Sequence, residues 1–178
     1  VERKTAFVSG TTGLSDADRD ALKRAASSIP ILHAPNFSVG VNLLCKLVAD
    51  AARTLADYDI EIVEMHHNQK KDSPSGTADR LLRVVCETLN RDAEKDTRHG
   101  RVGDVGARTS REIGMHALRG GDVVGDHTVI FATQGERVEL THKASSRDTF
   151  AAGALRAALA LVGRQPGLYE IDQVLFGR

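Results

Sequence analysis

Asp59-Ile60-Glu61-Ile62-Val63 runs into Glu64-Met65-His66-His67-Asn68-Gln69-Lys70-Lys71-Asp72-Ser73-Pro74-Ser75-Gly76-Thr77-Ala78. Polar and apolar residues alternate over the β-branched opening, the period of a half-buried strand, so His66 and His67 arrive at its end. Successive strand side chains point to opposite faces, and the two histidines therefore cannot share one task. The chain turns at Pro74. Ser75 or Thr77 is placed to cap a helix whose apolar stripe is Leu81, Leu82, Val84, Val85 and Leu89, and Gly76 lets a ligand come close to the backbone. Unbonded amides at a helix start attract carboxylate or phosphate, and Lys70 or Lys71 adds a full charge. The segment reads as an anion site with an acid beside it, suited to a small molecule carrying two negative charges.

Each feature also has a plainer reading. A His-His pair at a strand end is often surface polarity, loop lysines are usually solvated, and Ser-Gly-Thr before an apolar helix is usually only a cap. A metal site would need converging ligands. Adjacent strand residues diverge, and neither Cys45 nor Cys86 belongs to a Cys-x-x-Cys pair, so no metal is expected.

Upstream, the pattern predicts a strand over Thr5 to Ser9, a tight turn at Gly10-Thr11-Thr12-Gly13, a helix from about Asp16 to Ser27 and a second strand, Ile29 to His33, ending at Ala34-Pro35-Asn36-Phe37. Two successive strand ends then present loops on one edge, where open α/β sheets bind ligands. By spacing alone, Gly10 to Gly13 is only a turn. Val41, Leu44, Leu47, Val48 and Leu55 share one face of a helix beginning at Ser38, a candidate domain boundary. Downstream, the signature helix ends near Leu89 and a polar stretch, Asn90 to Arg111, is expected to be mobile. Ile113 to Arg119, Asp122 to Ala132 and Arg137 to Lys143 then read as strands, giving a mixed sheet of about four strands with helices on one face. A large apolar second face would call for another subunit. His127 and His142 lie inside strand patterns and read as structural. Arg147 stands before a helix from Thr149 to Val162, where its cation would meet a cofactor phosphate or cap a loop. Gly167 to Phe176 reads as a short docking helix.

A chain of 178 residues with formal net charge zero suits one or two domains and argues against nucleic acid as a partner. Only 4% of residues are aromatic, which leaves little for base stacking. The two cysteines fit a reducing cytoplasm, and no apolar run approaches the ~20 residues needed to cross a bilayer.

The stretch from Glu64 to Ala78 resembles the signature of the NAD(P)H-dependent 4-hydroxy-tetrahydrodipicolinate (dihydrodipicolinate) reductases of the diaminopimelate route to lysine, Glu-x-His-His-x-x-Lys-x-Asp-x-Pro-Ser-Gly-Thr-Ala, with every fixed position present. The resemblance continues through Gly10 to Gly13, Ala34 to Asn42, Gly121 to Thr128 and Gly135 to Arg147, in the family's order. One departure is large: the family's glycine-rich strand-turn is not found ahead of Gly10. Gly100-Arg101-Val102-Gly103-Asp104-Val105-Gly106 lacks the strand and helix that would make it one. The chain therefore reads as the family's C-terminal two thirds.

The resemblance implies an α/β fold: a remnant of a Rossmann-type nucleotide domain (1–37, completed by 148–178) and a substrate-binding and oligomerisation domain (38–147) whose mixed sheet forms the interface of a homotetramer. It implies a cytoplasmic oxidoreductase using NADH or NADPH on a cyclic dicarboxylate. Its implied roles are His66 as the acid, Lys70 to hold that acid charged or to aid loss of the hydroxyl, His67, Ser75, Gly76 and Thr77 as carboxylate ligands, and Gly10, Thr11, Thr12, Ala34, Pro35, Asn36 and Phe37 as contacts to the nicotinamide half. Two other readings stand beside it: a substrate-binding and oligomerising module without reductase activity, and a histidine-metal hydrolase.

Overall fold

The structure, a computed structural model, describes residue 2 and residues 4–177. In chain order the elements are β1 (Phe7–Ser9), α1 (Asp16–Ala26), β2 (Pro30–His33), α2 (Val39–Thr54), β3 (Asp59–His66), α3 (Gly76–Leu89) and β4 (Thr97–His99). They continue with β5 (Ile113–Arg119), β6 (Gly125–Thr133), β7 (Glu136–Ala144), α4 (Asp148–Leu161), β8 (Gly167–Tyr169) and α5 (Ile171–Phe176). Two compact units emerge, one running up to Asn42 and resuming at Arg147, the other Leu43–Ser146. The first join falls inside α2 rather than ahead of it.

In the first unit β1, β2 and β8 form a parallel sheet in that order. Helix α1 starts at a capping box, in which Ser15 Oγ accepts the Asp18 amide at 3.2 Å and the Asp18 carboxylate accepts the Ser15 amide at 3.0 Å. Acidic residues in its first turn and Lys23 and Arg24 in its last oppose the helix dipole. Leu32, Ala34 and Phe37 pack with Ala157 and Leu161 of α4 and Ile171, Val174 and Leu175 of α5. The closing segment departs from expectation: its first residues are strand β8, and only Ile171–Phe176 is helical. Three residues carry no readable periodicity, and their pairing is supplied by β2, distant in sequence, through Ile31 opposite Leu168.

The second unit holds a five-stranded sheet ordered β4-β5-β3-β6-β7, with β3 parallel to β5 and antiparallel to β6. Strand β4 lies within the stretch expected to be mobile and adds a strand to the four anticipated. Farther along that stretch Arg101 and Arg108 converge on one carboxylate. Glu61 accepts both Arg101 guanidinium nitrogens at 3.1 and 2.7 Å, Arg108 at 3.0 Å and His116 Nε2 at 2.7 Å. Burial works to raise the Glu61 carboxyl, but these donors outweigh it and hold it below the usual carboxylate range.

Strand alternation sets Ile60, Ile62, Glu64 and His66 on the buried face of β3. Register places Phe131 beside Ile60, Val129 beside Ile62 and His127 beside Glu64 on β6, and Arg119 beside His66 on β5. Toward the start of β3 this face is apolar, and α3, which packs on β3, buries Leu81, Leu82 and Val85. Toward its end the face turns polar, which is where the signature residues fall.

Candidate active site

At the end of β3 the Glu64 carboxylate is fully buried and collects four donors. Arg119 reaches it through both guanidinium nitrogens at 2.9 Å each, His66 Nδ1 at 2.6 Å and the Ser75 amide at 3.1 Å. Desolvation alone would raise this carboxyl, yet the bonds from Arg119, His66 and Ser75 more than offset it and keep it below the ordinary range. A carboxylate only accepts, so Nδ1 of His66 carries the hydrogen and Nε2 is the nitrogen that can exchange a proton with a ligand. The side chain is 11% exposed, so access to it is narrow. A Cβ at Gly125 would stand 3.0 Å from that Nε2, which makes the bare glycine backbone part of the room the ring occupies.

Ser75 is the cap of α3, its Oγ accepting the Ala78 amide at 3.2 Å. The same oxygen lies 3.0 Å from His127 Nε2, and the His66 and His127 rings meet edge to face with centroids 5.2 Å apart. A Cβ at Gly76 would meet nothing within 4 Å, so the first turn of α3 is open in that direction. Thr77 lies in that turn, half-buried, and His67 stands half-buried just past the end of β3. Lys70 has a partner that the sequence did not single out: its ammonium is held by both Asp72 carboxylate oxygens at 2.8 Å, so part of its charge is already answered. Two residues apart, the pair closes the loop on itself, an arrangement that spacing to His66 did not reveal.

In the first unit, the register of Ser9 with His33 brings the loops after β1 and β2 to one sheet edge. A Cβ at Gly10 would come within 3.2 Å of the Phe37 ring, so the glycine spares a tight contact where the loops meet. Gly10, Thr11, Thr12 and Pro35 are exposed and Asn36 is half-buried. Ala34 and Phe37 are buried in the core, so what they can offer a ligand is backbone rather than side chain. Asn42 fixes this turn by donating to the Asn36 and Ser38 carbonyls at 3.1 and 2.8 Å, while Asn36 Oδ1 accepts the Ser38 amide at 2.8 Å. Among the described residues, no three His, Cys, Asp or Glu side chains are grouped to hold a metal ion. No helix among them is long and apolar enough to cross a membrane.

A family profile described as "Dihydrodipicolinate reductase, C-terminus" matches residues 40–175. The chain belongs to the dihydrodipicolinate reductase family. The companion profile, "Dihydrodipicolinate reductase, N-terminus", matches residues 1–37. A relative from Akkermansia muciniphila, named 4-hydroxy-tetrahydrodipicolinate reductase, is 57% identical over 170 residues, covering 95% of this chain and 69% of its own. One of the same name from Pseudomonas fluorescens is 58% identical over 171 residues, covering 96% and 64%. The solved structure of dipicolinate-bound dihydrodipicolinate reductase from Paenisporosarcina sp. TG-14 matches with a TM-score of 0.73 at 27% identity, over 93% of this chain and 62% of that one. The chain thus spans roughly two thirds of the length of the relatives it matches.

Three members of the polar cluster in this dihydrodipicolinate reductase relative escaped the sequence. Glu64 stood inside the signature, but its place on the same strand face as His66, two residues on, was the signal that could have marked it. Arg119 and His127 carried no local signal, because only strand register sets them beside His66 and Glu64. His127, read as structural, contacts the cap of α3.

Proposed function

We propose that this chain takes part in reducing 4-hydroxy-tetrahydrodipicolinate to tetrahydrodipicolinate with NADH or NADPH, on the diaminopimelate route to lysine. The observation that carries the reading is the double grip of Glu64, which holds the His66 imidazole and the amide that opens α3 with one buried carboxylate. An acid and an anion-attracting helix start are thereby fixed to each other, as protonation of a bound dicarboxylate requires.

Ser75, Gly76 and Thr77, with His67, hold the substrate carboxylates, the open side of Gly76 leaving them room. Lys70, poised on Asp72, assists departure of the ring hydroxyl as water. His66 then delivers its Nε2 proton to the ring carbon beside the reduced one, and Glu64 and Arg119 keep the imidazole oriented while it does so. The bound nicotinamide supplies the hydride. Gly10, Thr11, Thr12, Pro35 and Asn36, with the backbone of Ala34 and Phe37, hold its nicotinamide half. Their fit rests on the glycine pressed against the Phe37 ring, which keeps that lip free of side chain at Gly10. Residues 1–37 and 148–178 serve the cofactor and 38–147 the substrate, with assembly as a homotetramer through the second sheet face, in the cytoplasm, where buried free cysteines stay reduced.

Mixing the chain with 4-hydroxy-tetrahydrodipicolinate and each cofactor, and following cofactor absorbance, tests this. Oxidation of NADH or NADPH that depends on substrate is expected. A chain that binds dipicolinate yet oxidises neither cofactor would be a substrate-binding module, and the reductase reading would be lost.

A further inference from the structure

We infer that His127 is a positioning residue, whose Nε2–H donates to Ser75 Oγ and thereby turns the Ser75 hydroxyl hydrogen outward, onto a carboxylate bound at the start of α3. This rests on the dicarboxylate reading of that helix start and names a residue that supports it.

The inference follows from counting donors and acceptors. A serine oxygen offers two lone pairs and one hydrogen. At Ser75 one lone pair takes the Ala78 amide at 3.2 Å, and His127 Nε2 stands 3.0 Å away. If the ring donates through Nε2, both lone pairs are filled and the hydroxyl hydrogen must go elsewhere. If instead Ser75 donates to the ring, that hydrogen is consumed and Nδ1 must carry the ring's own. Nδ1 is buried with no hydrogen-bond partner among the described residues. A buried N–H without an acceptor is rarer in folded proteins than an under-satisfied acceptor, so the bare nitrogen belongs at Nδ1 and the hydrogen at Nε2. The ring is also neutral near neutrality: burial, then the charge of neighbouring His66, pushes it down to about 4. A neutral ring has one hydrogen to place, and the packing places it against Ser75. The residue is 3% exposed and lies within strand β6, which leaves the ring little room to turn away from Ser75.

The test has two arms. Long-range proton–nitrogen NMR on the ring-labelled chain reads the tautomer directly, with a protonated Nε2 and bare Nδ1 expected. A protonated Nδ1 overturns the inference without touching the functional reading. Dipicolinate is then titrated into wild type, His127→Phe, His127→Gln and both substitutions on a Ser75→Ala background. His127→Phe should weaken binding about tenfold, since a bond to a charged acceptor is at stake. His127→Gln, which restores an N–H near the Nε2 position, should recover most of it. On Ser75→Ala, His127→Phe should cost nothing further, and an equal loss there would make His127 merely structural and overturn the inference. Wild type that binds no dipicolinate at all overturns both this inference and the substrate reading beneath it. Should His127→Phe fail to fold, the wild-type tautomer and the His127→Gln titration still decide.

Discussion

Glu64 accepts a hydrogen bond from His66 Nδ1 at 2.6 Å, across two positions of one strand face, with the carboxylate fully buried. Strand alternation makes the two side chains neighbours, and Arg119 from the adjacent strand supplies the countercharge that makes a buried carboxylate tolerable. The imidazole is thereby committed to one tautomer before any ligand arrives.

Glu64→Gln keeps the shape and removes the charge. Arg119 is left facing a neutral amide in a half-buried setting, and stability should fall by about 3 kcal/mol, read by urea unfolding. The His66 tautomer is no longer dictated, so turnover should fall by about 10- to 100-fold. Full turnover in a folded Glu64→Gln protein would remove the positioning role.

His66→Gln preserves a polar group of similar reach but cannot hold a transferable proton near neutral pH. Turnover should drop by about 10²- to 10⁴-fold, with dipicolinate affinity changing far less. Steady-state kinetics beside a binding titration separate the two, and an unchanged turnover would refute the acid.

Gly153→Ala tests the packing behind the loop after β2. A Cβ there would stand 1.9 Å from the Phe37 carbonyl oxygen, a backbone atom that cannot step aside like a side-chain tip. A loss of about 1–3 kcal/mol is expected, visible as a lower melting temperature. Wild-type melting would mean that the helix and loop separate at little cost.

Acid should weaken the fold through His127. Its folded value, pushed down to about 4 by burial and then by His66, lies below its ordinary 6.5. Between those values the unfolded chain binds a proton that the native ring refuses, so stability is full above about 6.5 and falls as pH drops toward about 4, by up to about 3 kcal/mol. Burial lowers His142 too and adds in the same sense. The check is therefore a difference, with His127→Gln losing less stability than wild type between about pH 7 and about pH 5. Equal losses would show that His127 is protonated in the native state.

Periodic segments were legible because their signal is local. Helix α1 begins at Asp16 as expected, and β5 runs from Ile113 to Arg119, bounded by its own alternation and turns. The strands β4 and β8 were not, since each exists only because a neighbour distant in sequence pairs with its backbone. Likewise the polar stretch ahead of Ile113 looked mobile until Arg101 and Arg108 met Glu61, tens of residues earlier.

Sequence alone determined the family signature, the strand leading into His66, and a helix start within Ser75 to Thr77, all consequences of spacing along one or two elements. Tertiary structure decided what those residues do to one another. Pairing of β3 with β5 and β6 set Arg119 and His127 beside Glu64 and His66, and only the turn of the chain through Pro74 returned the Ser75 amide to Glu64. Such contacts join residues between 11 and 63 positions apart, and no local pattern encodes them, because they are fixed by strand register and by the need of a buried charge for partners.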